Sequence, residues 1–129
     1  MQRRQPSAHA LPRTAAQVAR AFADIRASGD AFAIQSSGHC FAGLSQTSGA
    51  LIDLRYLNQT TVDPDKKRLI AGPDTSIAAV NRAMSKHGLV LPAGHCQTVA
   101  LGGHVGGGGI GILSRKYGLA CDHLIAPKC

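Results

Sequence analysis

The sequence predicts an α/β (α+β) fold with a partly parallel sheet, and three observations predict it. Short apolar runs at residues 31–34, 50–54 and 89–91 have the length of buried strands. Helical periodicity precedes the first run and the last, carried by Val18, Phe22 and Ile25 and then by Ile77, Val80 and Met84. Glycine-rich stretches follow the strands, and an alternation of this kind gathers its loops at one edge of the sheet.

Each element has local signals. Thr14 and Gln17 form a capping-box pattern, with Thr14 accepting the Gln17 N–H and Gln17 reaching back to the Thr14 N–H, so a helix starts there and Gly29 stops it. Residues 31–34 make a strand, residues 35–49 a polar Ser- and Gly-rich loop, and residues 50–54 a second strand. Thr60–Asp63 and Arg68–Ala71 flank a Pro64-Asp65 turn and pair as a hairpin. Asp74 or Thr75 caps the next helix, which Gly88 ends. Residues 89–91 make a third apolar strand closed by Pro92, and residues 94–111 are too rich in glycine for a regular element. A short helical turn is expected at 112–116 and the start of another strand at 122–126. Arg115 and Asp122 fall in that turn and strand start, where charges cap or solvate, so they are read as folding residues.

Composition bounds the function. At 129 residues the chain holds one domain, spanning 1–129, which is small for an enzyme with separate cofactor and substrate domains. The formal charge of +7, from 14 Lys and Arg against seven Asp and no Glu, favours acidic ligands. The basic residues are scattered, however, with only Arg3-Arg4, Lys66-Lys67-Arg68 and Arg115-Lys116 adjacent. Aromatic content of 4% leaves few platforms for stacking bases, so no nucleic-acid partner is expected. No apolar run approaches the roughly 18 residues of a membrane span, and no secretory h-region is present. A cytoplasmic protein with no membrane partner is the default expectation. Arg3, Arg4, Arg13 and Arg20 mimic a transit peptide, but Pro12 and the helix signals after it favour domain structure. Cys40, Cys96, Cys121 and Cys129 have neither zinc-ribbon spacing nor the density of a disulfide scaffold.

Two glycine-flanked His and Cys signatures carry the chemistry. The first is Ser36-Ser37-Gly38-His39-Cys40-Phe41-Ala42-Gly43; the second runs from Gly94-His95-Cys96-Gln97-Thr98-Val99 through Leu101-Gly102-Gly103-His104 into Gly106-Gly107-Gly108-Gly109-Ile110-Gly111. Glycine lets backbone N–H groups approach an anionic ligand in conformations that a Cβ forbids. Gly106-x-Gly108-x-x-Gly111 matches the dinucleotide fingerprint formally, but no strand immediately precedes it and the acidic residue about 20 positions on is absent. His39, His95, Cys96 and His104 are a candidate zinc set, although their adjacent pairs in glycine-rich coil chelate poorly, and no metal is expected.

The ordered set resembles the FAD-binding domain of the berberine-bridge-enzyme-like oxidases, within the vanillyl-alcohol-oxidase and p-cresol-methylhydroxylase (PCMH) type. The resemblance rests on Gly38-His39 followed by Gly43 and Ser45, on Leu51-Ile52-Asp53-Leu54, and on Leu91-Pro92-Ala93-Gly94 before Cys96. Gly102-Gly103-His104 with its glycine tail, and Ser114 to Asp122, complete it. It implies a PCMH-type FAD-binding domain, incomplete in this chain, with FAD as cofactor. Its cofactor contacts fall on Ser36, Ser37, Gly38, His39, Cys40, Phe41, Ala42, Gly43 and Ser45, and on Cys96, Thr98, Val99, Gly102, Gly103, His104, Gly107, Gly108, Gly109 and Gly111. By the same resemblance His39 bonds the flavin 8α carbon and Cys96 flavin C6, with His39 the primary link; Cys40 is read as a packing neighbour.

The family's first loop begins Arg-Ser-Gly-Gly-His, where this chain has Gln35-Ser36-Ser37-Gly38-His39, and Gln97 replaces the Pro common after the cysteine. The activity implied is an FAD-dependent oxidoreductase that passes a substrate hydride to flavin N5, with oxygen as acceptor. The substrate is a small molecule, and the substrate domain with its catalytic base lies outside these residues. A stand-alone flavin or nucleotide module, and a metal or nucleic-acid binder, are the alternatives.

Overall fold

The computed structural model describes residues 5–127, so Arg3, Arg4 and Cys129 lie outside it. The described chain forms two compact units, residues 5–57 and 58–127.

In the first unit, β1 (Ala8–Ala10), β2 (Phe32–Gln35) and β3 (Ala50–Asp53) make a wholly parallel sheet in the order β1-β3-β2. All four residues of β3 are buried, because it is the central strand. Helix α1 (Ala15–Ser28) starts where the sequence predicts: Thr14 Oγ1 accepts the Gln17 N–H at 3.2 Å, and Gly29 closes the helix at φ 74°. The reciprocal bond differs from expectation. Gln17 Oε1 accepts from the Arg13 N–H at 2.7 Å, one residue beyond Thr14. Val18, Phe22 and Ile25 form the inner face but stay half-buried, with Phe22 edge-on to Phe32 of β2 at 5.5 Å between ring centroids.

Strands β2 and β3 are parallel yet joined by residues 36–49 with no helix between them. Because Gln35 pairs with Asp53 at the carboxyl ends of both strands, the first signature leaves the sheet at the edge where open α/β sheets bind ligands. The return is tight: a Cβ on Gly49 would stand 1.9 Å from the Ala31 carbonyl oxygen.

In the second unit, β4 (Thr60–Asp63) and β5 (Arg68–Ala71) form the expected hairpin, with Asp63 opposite Arg68. Helix α2 (Ile77–Ser85) buries Ile77, Val80 and Met84 as expected. Its cap is Ser76, whose Oγ accepts the Ala79 N–H at 3.2 Å, rather than Asp74 or Thr75. Thr75 is buried instead, its hydroxyl donating to the Gln59 carbonyl at 3.2 Å.

Three expectations are corrected here. Residues 89–91 form no strand, because no strand lies beside them. Leu89 N–H donates to Met84 O as the chain leaves α2, and Leu89 and Leu91 pack irregularly on the Ile77, Val80, Met84 and Leu101 cluster. Residues 94–111 do contain a regular element, α3 (Leu101–Gly106), although half of it is glycine. Burial of Leu101 and donation of the Leu101 and Gly102 N–H groups to Thr75 O and Pro73 O override the glycine penalty of about 1 kcal/mol each. Residues 122–126 start no strand either. After α4 (Ser114–Tyr117) the chain makes a 3-10 turn, Ala120–His123, in which Asp122 Oδ2 accepts the Leu119 N–H at 2.7 Å.

Candidate functional site

The first signature is a run of turns. Gly38 and Gly43 both sit at φ 74°, in the left-handed region that favours glycine, and the Gly43 N–H donates to Cys40 O at 3.1 Å. Between them the exposed His39 ring is pinned through Nδ1, which lies 3.1 Å from both Ser37 O and Ser37 Oγ. A carbonyl only accepts, so Nδ1 carries a proton.

Backbone N–H bonds, first from Leu44 and then from Ala42, Ser45 and Gly43, favour the Cys40 thiolate; burial opposes them and loses, so its pKa falls below the ordinary thiol value. Close by in sequence, the buried Ser45 Oγ has no hydrogen-bond partner. Phe41 is 95% exposed and Leu44 79%, so this loop also shows apolar surface.

The second signature is zipped by its backbone to the start of α2. Gln97 O and Val99 O accept the Ala78 and Ile77 N–H groups at 3.0 and 2.9 Å, and Ser76 bridges Ala100. Val99 is thereby part of the packing around the core cluster, while His95, Cys96 and Thr98 are exposed. On α3, Gly102, Gly103 and Gly106 are exposed, and a Cβ on Gly103 or Gly106 would meet nothing within 4 Å. Packing within the chain therefore gives no reason for glycine at those two positions. Gly109 is buried against Ala120 and His104, and His104 Nε2 accepts the Gly94 N–H at 2.9 Å.

The two signatures lie in different units. Among the described residues no three His, Cys, Asp or Glu side chains gather to hold a metal, so His39, His95, Cys96 and His104 do not form the candidate zinc set. The Gly106 to Gly111 run follows a helix, not the strand that a dinucleotide fingerprint requires. No helix among the described residues is long and apolar enough to cross a membrane.

A family model described as the FAD binding domain matches residues 6–129. The chain belongs to the FAD-binding-domain family. Relatives of this FAD-binding domain include aclacinomycin-N/aclacinomycin-A oxidase of Streptomyces galilaeus, 37% identical across 98% of this chain and 24% of that protein. Reticuline oxidase of Eschscholzia californica is 36% identical across 94% of the chain and 23% of its own length. Among solved structures, 6-hydroxy-D-nicotine oxidase of Arthrobacter nicotinovorans superposes with a TM-score of 0.88 at 29% identity, covering 92% of this chain and 26% of that one. The chain thus spans about a quarter of the length of these relatives. The fold is the PCMH-type FAD-binding domain, mixed α/β, and the cofactor of the family is FAD.

The residues present fit that cofactor. The buried, unpartnered Ser45 Oγ sits in a loop turned at Gly38 and Gly43, and a helix face bare of side chains admits a flat ring closely. Sequence reasoning missed one constellation, the buried Asp53 with His9 and Arg55. His9 stands on a three-residue strand too short to show a period.

Proposed function

We propose that the chain holds FAD for an FAD-dependent oxidase, with the loop 36–45 on the pyrophosphate and the segment 96–111 along the flavin and its ribityl arm. The observation that carries this is the loop turned at Gly38 and Gly43, which leaves the carboxyl edge of a parallel sheet and holds a buried Ser45 hydroxyl with no hydrogen-bond partner. Bound FAD supplies the redox chemistry, taking a substrate hydride at N5 and yielding its electrons to oxygen. The chain's residues supply grip. Ser37 orients the His39 ring, Gly38 and Gly43 turn the loop, and Gly103 with Gly106 keep the α3 face clear.

His39 is the primary covalent attachment residue and Cys96 the second, since both are exposed nucleophiles on constrained backbone. A small-molecule substrate completes the reading. Intact-mass spectrometry after incubation with FAD and denaturation tests it. The wild-type chain should gain the mass of one FAD, His39→Ala should lose most of that gain, and Cys96→Ala should retain it. A gain kept in His39→Ala and lost in Cys96→Ala reverses the ranking, and no gain in wild type ends covalent attachment. Retention of FAD by the native chain on gel filtration tests cofactor binding separately.

A further inference from the structure

We propose that His104 is a positioning residue that locks the backbone at Gly94 and thereby sets how Cys96 is presented. The presentation half rests on the reading of Cys96 as an attachment thiol; the lock is a property of the chain alone. Gly94 N–H donates to His104 Nε2 at 2.9 Å across ten residues of sequence. An accepting ring nitrogen carries no proton, so this imidazole is neutral with its proton on Nδ1, and a doubly protonated ring would set N–H against N–H.

The ring is enclosed by residues that lack a Cβ. One added at Gly94 would stand 2.8 Å from Cε1, and one added at Gly109 would stand 3.1 Å from Cδ2 and Nε2. Gly111 closes the interlock on the backbone side, where a Cβ would lie 2.0 Å from the Ala93 carbonyl oxygen. Thus α3, the loop around Gly94 and the glycine tail fit together only with these three glycines in place.

Cys96 is suspended between two fixed points. One residue before it lies between Cys96 and the locked Gly94, and one residue after it Gln97 O is held by the Ala78 N–H at 3.0 Å. Loss of the first anchor leaves the thiol on a segment tied at one end only.

The test uses the flavin-free chain as wild type, His104→Leu and His104→Gln, because the glutamine amide oxygen can accept the Gly94 N–H and leucine cannot. Amide exchange read by NMR should be about fivefold or more faster at Gly94 in His104→Leu, the factor set by the net worth of one hydrogen bond. Ile77 and Val80 amides should be unchanged, and His104→Gln should restore most of the protection. Iodoacetamide labelling of Cys96 should accelerate in His104→Leu and return toward wild type in His104→Gln. Equal Gly94 exchange in wild type and His104→Leu, or failure of glutamine to restore it in a folded protein, overturns the lock.

Unchanged Cys96 labelling overturns the presentation half. Should leucine unfold the chain, the long-range ¹⁵N spectrum of wild type decides: a proton on Nε2 refutes the lock and a proton on Nδ1 supports it. None of these readouts needs FAD, so absence of a flavin adduct bears only on attachment.

Discussion

At Asp53 one carboxylate ties together three parts of the first unit. It is 1% exposed; its Oδ2 lies 3.2 Å from His9 Nε2 and accepts from Arg55 Nε at 2.9 Å and from Nη2, while Oδ1 accepts the Arg55 N–H at 3.1 Å. Burial pushes its pKa up, but the bonds from the Arg55 side chain, the Arg55 N–H and His9 outweigh burial and hold it below the ordinary carboxyl value. A depressed folded pKa contributes stability above the unfolded value of about 3.9, lost as pH falls through the folded value. Asp53→Asn is therefore expected to cost about 2 kcal/mol in urea unfolding at pH 7, with the difference shrinking below about pH 4. A gap that stays constant from pH 7 to pH 3 would contradict the ionised pairing. Cys40 gives a second residue-scale expectation. Because Leu44 and its neighbours favour the thiolate, the alkylation rate of Cys40 should fall off at a lower pH than that of a cysteine in an unstructured peptide, read by peptide mass spectrometry.

At the scale of elements, α3 separates structural glycines from exposed ones. Gly103 is helical with open space at its Cβ position, so Gly103→Ala should stabilise the chain by about 0.5–1 kcal/mol while weakening FAD retention. Gly111 is the converse case. Alanine there would collide with the Ala93 carbonyl, and Gly111→Ala should cost about 3 kcal/mol. Thermal unfolding paired with FAD titration distinguishes the two, and a Gly103→Ala chain that binds FAD undiminished would remove α3 from the cofactor path. The same contrast shows what the sequence reveals at this scale. Helix α2 was legible because Ile77, Val80 and Met84 repeat at helical spacing, whereas α3 was hidden because its support comes from Thr75 and Pro73 across the fold.

At the scale of the whole molecule, two compact units account for about a quarter of the length of the relatives. Oxidase turnover requires a substrate-side base besides a held flavin. No described residue is assigned that part, so the purified chain is expected to retain FAD without oxidising alcohols, sugars or alkaloids. Hydrogen peroxide release above that of a heat-treated control, with any such substrate, would overturn this expectation. The net charge of +7 is consistent with a phosphate-bearing ligand at this scale, and salt should weaken the non-covalent part of binding.

The sequence by itself determined the features that are local in the chain. Thr14, Gln17 and Gly29 framed α1, the 60–71 hairpin followed from its turn, and the ordered Gly, His and Cys motifs identified the family before any contact was known. Tertiary structure alone decided what depends on a distant partner. The residues 89–91 were apolar enough for a strand but had no neighbour to bond, and the residues 8–10 became one because β3 offered an open edge. His104 read as a glycine-loop residue in sequence, and only folding brought Gly94 to its ring. Hydrophobic period and capping are written over a few consecutive residues, whereas strand pairing, buried charge and a backbone lock each require two segments whose meeting no local pattern specifies.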